Sequence, residues 1–229
     1  MNFIKKIKSN SYLKKLRNNK IKIDDIDEQY LTSEICLFEL QRNIDYFKDM
    51  PDKYKNKEIC EKIVLEQFSN IKYVPKEYRD SKMYYQVIDN LDNFYDYITL
   101  DEICDELKRF YIDKAIKCNP ECILSFKQND LLEYNWIEAV SNREHLVFKL
   151  PDIYKNNEFF KKIIDINPSF ISRMPLDQLS QNLFDLSFEK NPNLIKYFPD
   201  QYITKEMAEY IRLYMPEYIK RIPLRYQER

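Results

Sequence analysis

The sequence predicts an all-α protein, a helical-repeat solenoid of paired short helices with a period of 24 residues. Three observations predict it. The 229 residues include no Gly; apolar residues recur at helical spacing; and a Pro-x-x-Tyr signature returns in phase along the chain. Without Gly, the Asn-Gly turns of hairpin-rich folds are missing. So are the Walker loop, the dinucleotide-binding turn and the nucleophile elbow, which need Gly where backbone meets phosphate or bends sharply. A composition 44% hydrophobic and 15% aromatic excludes a disordered chain and is enough for a real core.

The first element is a basic end helix over residues 1–22. It holds eight Lys and Arg and no acid, while the whole chain nets −1, so the remainder carries −9. Such a start caps an array, or touches nucleic acid or anionic lipid. It has no apolar run long enough for a signal peptide or a membrane span. Five cysteines without regular pairing point to reduced thiols and a cytoplasmic protein.

The repeat occupies 23–229 as a single α-solenoid of about eight helix-turn-helix units. Pro-x-x-Tyr stands at Pro51/Tyr54, Pro75/Tyr78, Pro151/Tyr154, Pro199/Tyr202 and Pro223/Tyr226. Asp27, Thr99, Lys127 and Pro175 complete the phase, with every interval 24 residues except one of 28 after Thr99. One residue before each anchor, and four before, all eighteen positions are apolar or aromatic, the spacing of one helix face. Eight before the anchor, Asn recurs at Asn19, Asn43, Asn119, Asn167 and Asn191, three times followed by Pro. Asn as N-cap with Pro at the first helical position starts a short first helix of about seven residues. Thr32, Asn56, Asp80, Asn156, Ser180 and Thr204, five after the anchor, are N-caps for the second helix. The Tyr of each signature packs between units with its hydroxyl at the surface. Short paired helices cannot bury their apolar faces alone, and stacked neighbours can. The incomplete last unit, 222–229, is charged and suits the opposite end.

The centre, near 101–145, breaks the pattern. The four extra residues lengthen one second helix by about a turn. The next unit lacks the Pro, the Tyr and the cap, and holds the only Trp.

The segments 71–90 (IKYVPKEYRDSKMYYQVIDN), 47–64 and 194–211 carry a resemblance to a family of uncharacterised tandem helical repeats of bacterial and large-DNA-virus proteins. Its consensus runs roughly aLkyvPeelrtkEiclaAvkqn, and the likeness covers about 19–226. The resemblance implies a fold and an interaction role. It implies no reaction, because the family has no established catalytic motif.

Candidate chemistry is thin. Cys118 and Cys122 suggest zinc, but structural zinc needs four soft or imidazole ligands. Cys36 and Cys60 share one repeat position and read as small core residues, as does Cys122. His145, the only His, lacks an advertised nucleophile or metal partner. The acid pairs Asp24/Asp25 and Asp101/Glu102 fall at helix starts, where the dipole favours acids. No catalytic, cofactor-binding or metal-ligating residue is therefore assigned, and the chain reads as a non-enzyme. The expected function is a protein–protein interaction scaffold. In its specific form it is a viral, phage or mobile-element inhibitor or effector that occludes a host enzyme, since the composition suits an AT-rich genome. The alternative is a nucleic-acid-binding helical-repeat protein. The candidate partner-binding residues are Tyr134, Trp136, Arg143 and His145, because Trp, Tyr and Arg anchor interfaces most often and the irregular centre is where an array becomes distinctive.

Overall fold

The computed structural model describes residues 3–227, with side chains from residue 4. Residues 1–2 of the basic end and 228–229 of the last unit lie outside the described residues. The described chain is all-helical, built from nine α-helices joined by short 3-10 segments, with no strand among the described residues. No helix among them is long and apolar enough to cross a membrane.

The chain divides into two compact bodies, Met1–Lys114 and Ala115–Arg229. The first holds α1 (Phe3–Arg17), α2 (Ser33–Arg42), α3 (Lys57–Glu66) and α4 (Ser81–Asn90). It also holds the start of α5 (Asp105–Cys118). The second body holds α6 (Glu133–Asn142), α7 (Asn157–Ile166), α8 (Gln181–Lys190) and α9 (Lys205–Tyr214). The helix expected to lengthen is α5, with 14 residues where α2 and α6 have ten. Successive helices pack side by side within a body, α3 on α4 in the first, α6 on α7 and α7 on α8 in the second.

Local chemistry sets the boundaries. Thr32, Asn56, Asp80, Asn156 and Thr204 each accept a hydrogen bond from the backbone N–H three residues on, the N-cap geometry. Ser180 makes no such bond. Ahead of α6 the position holds Leu132, and Asn135 reaches back instead, accepting from the Leu132 N–H at 2.9 Å. Asn43, Asn119, Asn167 and Asn191 cap the segments before each anchor by accepting from the N–H two residues on. These segments are five- and six-residue 3-10 turns, as at Ile44–Lys48 and Pro192–Tyr197, rather than helices of about seven residues. The cap starts each turn and the extended anchor residue ends it, too soon for an α ladder to propagate. A second 3-10 turn follows the anchor, its carbonyl accepting from the N–H three residues on. Pro51, Pro199, Thr99 and Lys127 all do this, at 2.9, 3.0, 3.1 and 2.9 Å. The turn needs only a backbone carbonyl at the anchor, so Thr99 and Lys127 make it without Pro.

Asn19 departs from its expected role. It sits at φ 54°, just beyond α1, in the left-handed region. Its N–H donates to Leu16 O and the next N–H, of Lys20, to Lys15 O. That is the Schellman close of α1, where most chains place Gly. Asn tolerates the conformation because its short polar side chain bonds locally.

The expected apolar face lies inside. Phe47, Ile71, Ile98, Ile195 and Phe198 are fully buried. Ile23, Tyr95 and Phe126 are half-buried, and Ile219 is exposed. Tyr95 yields its place to the fully buried Phe94, in a three-residue turn whose N-cap residue, Asn93, makes no side-chain cap hydrogen bond. Helix α1 joins the core through Leu13 and Leu16, which cluster with Ile26 and Ile35.

Candidate functional site

The centre of the second body brings only part of the expected set together. Trp136, on α6, is 3% exposed and its Nε1 has no hydrogen-bond partner among the described residues, so it is a core residue. It stands nine after its anchor, where Phe160 and Phe184 are buried in other segments. Tyr134 is exposed near the start of α6, nine residues from Arg143, about 13 Å along a helix axis. Arg143, just past the end of α6, and His145 share one shallow concavity of about 390 Å³. Asn142, Glu144, Phe148 and Arg173 complete its lining.

The electrostatics are local. His145 Nε2 lies 2.8 Å from Glu121 Oε1, and Arg173 Nε lies 3.3 Å from Glu144 Oε2. Both pairs are exposed, so each contributes little to stability. They join neighbouring turns at the rim. Among the described residues the guanidinium of Arg143 donates only to the Asn142 carbonyl, at 3.3 Å, and the side chain is exposed.

Phe148 and Leu124 are the residues that sequence reasoning missed. They stand three before their anchors and are 60% and 49% exposed. Elsewhere that position carries Asp24, Lys48, Lys72, Asp96, Ser172, Lys196 and Lys220. The signal was therefore present, as two apolar residues at a register otherwise given to polar ones.

The thiols differ in burial. Cys36 and Cys60 are fully buried, and burial pushes the Cys60 thiol up to about 11. Cys122, expected in the core, is half-buried within its 3-10 turn, Pro120–Ser125. Among the described residues, no group of three or more His, Cys, Asp or Glu is placed to hold a metal ion.

The Tyr hydroxyls do structural work that the sequence reading put at the surface. Tyr54 donates to Leu31 O at 2.6 Å, and Tyr202 donates to Leu179 O at 3.4 Å. Arg225 donates to Ile203 O, Arg221 donates to Phe198 O, and Lys55 donates to Tyr73 O. Each bond ties one segment to the backbone of its neighbour.

Comparison with protein-family models, curated proteins and solved structures finds no match to this chain.

Proposed function

We propose that the chain is a non-enzymatic scaffold that binds another protein, its segments stacking as a solenoid with a 24-residue period. The observation that carries the reading is the pair of half-exposed apolar side chains, Leu124 and Phe148, at a register that is polar elsewhere. Beside Phe148 stand Arg143 and Arg173, and an aromatic flanked by guanidinium groups is the composition of an interface anchor. The starts of α2, α3 and α4, and of α6 to α9, support the period. The inhibitor or effector role against a host enzyme, and kinship with the tandem-repeat family, belong to the same proposal.

Affinity capture from the source cell tests it, followed by titration of the recovered protein against Arg143→Ala, Phe148→Ala and Tyr134→Ala. Phe148→Ala or Arg143→Ala should weaken binding about tenfold or more at unchanged melting temperature. If all three variants bind as the parent does, the partner docks elsewhere.

The nucleic-acid reading has one observation in its favour. Lys6, Lys14 and Lys15 of α1 are exposed and form no ion pair with a described residue. Binding to DNA or RNA through them must fall steeply with added salt, and affinity flat in salt would remove that reading.

A further inference from the structure

A second surface lies between α8 and α9, distinct from the concavity at Phe148. Helices α6 and α7 are bridged by Lys162 and Glu133 at 2.8 Å, and α7 and α8 by Lys190 and Asp165 at 3.0 Å. At α9 both bridging lysines are replaced by tyrosine. Tyr210 occupies the register of Lys162 relative to its anchor, and Tyr214 occupies that of Lys190. Glu189, at the register of Asp165, has consequently lost its lysine.

Helices α8 and α9 also pack less closely than α7 and α8. Between them opens a groove of about 590 Å³. Phe188, Met207, Tyr210 and Pro192 form its apolar lining, with Phe188 half-buried and Tyr210 40% exposed. Asp185, Glu189 and Glu206 stand on its rim, and no Lys or Arg lines it. None of the three carboxylates has an ion-pair partner among the described residues. Asp185 accepts only from the Gln181 amide, at 2.8 Å.

We infer that this groove docks an amphipathic helix of a partner protein, one whose apolar stripe is flanked by Lys or Arg. The occupant's class follows from complementarity. Walls made by residues three or four apart on two helices match the stripe of a third, the helix-in-groove mode. Three carboxylates without an ion-pair partner among the described residues select a basic flank. The rings of Phe188 and Tyr210 accept a cation over their faces. This inference rests on the reading of the chain as a protein-binding scaffold and adds a second, chemically defined surface to it.

The test uses the full chain and two synthetic helices of about four turns, one of Leu and Lys and the other of Leu and Glu, titrated by fluorescence anisotropy. The Leu/Lys helix should bind and the Leu/Glu helix should not. The paired change Asp185→Lys with Glu189→Lys should weaken binding about tenfold or more. Tyr210→Ala should weaken it as well. The same charge change on the exposed Glu158 and Asp177, outside the groove, should alter binding by less than about twofold. Equal loss from both pairs of substitutions, or no binding by the parent chain, overturns the inference. Concentration-dependent self-association abolished by the groove variants would assign the groove to α1 of a second copy, and also overturns it. The scaffold reading fails separately, through the Phe148 and Arg143 variants against the captured partner.

Discussion

Tyr54 and Tyr154 occupy the same repeat position and differ in one bond. The Tyr54 hydroxyl donates to Leu31 O, while the Tyr154 ring lies tilted against Phe159 at 5.6 Å and shows no such donation to a described residue. Tyr54→Phe should therefore cost about 1 kcal/mol in urea unfolding, and Tyr154→Phe should cost close to nothing. Equal effects would remove the hydroxyl tie from the account. Thiol chemistry supplies a second residue-scale test. Burial raises the pKa of Cys36 and Cys60, so neither is a thiolate at neutral pH. Alkylation of the native protein should modify Cys104, Cys118 and Cys122 first, read by peptide mass spectrometry. Early labelling of Cys60 would contradict the burial.

At the scale of elements, Asp80 shows how much one cap does. Its carboxylate accepts from Met83 N at 2.9 Å and pairs with Lys57 at 2.8 Å. Those partners, the lysine first, hold its pKa below the ordinary carboxylate value. A carboxyl with a depressed folded pKa stabilises the fold above its unfolded pKa, near 4, and loses that stabilisation as pH falls through the folded value. Asp80→Asn keeps the cap and loses the charge, so its stability deficit should be present at neutral pH and vanish in acid. Asp80→Ala should cost about 1 kcal/mol at neutral pH. The side chain is 40% exposed, which keeps the ion-pair share small. A deficit that grows on acidification would reverse the sign and refute the linkage. Caps such as Asp80 and Asn43 were legible in the sequence because capping is local, a side chain meeting an N–H two or three residues away. The 3-10 character of Ile44–Lys48 was not, since the same Asn start serves an α-helix and a 3-10 turn. Asn135 was missed because it caps α6 from inside, and Asn19 because an Asn next to a helix serves either end.

For the whole molecule, periodic position separates core from surface within each body, and departures from it mark the surfaces proposed for a partner. Helix α1 shows why truncation is a poor probe of its charge: Leu13 and Leu16 are in the core, so removing residues 1–22 costs packing as well. Changing the exposed Lys6, Lys14 and Lys15 to Glu should leave the melting temperature within a few degrees and remove any salt-sensitive nucleic-acid binding. Arg143 and His145 were legible as candidates because their chemistry is conspicuous in an irregular segment, and both line the concavity at Phe148. Phe148 was not, because an aromatic in an apolar-rich repeat reads as core until its register is compared with Lys48, Lys72 and Lys196. Trp136 misled for the converse reason, its residue type outweighing a register that buries Phe160 and Phe184. The central claim is that this register decides burial in both bodies, and thermal unfolding of two matched pairs tests it most directly. Phe47→Asp and Ile195→Asp place an unpaired charge at fully buried positions and should each cost at least about 3 kcal/mol. Their exposed neighbours, Lys48→Asp and Lys196→Asp, should melt within a degree or two of the parent. Equal melting temperatures within either pair would contradict the account.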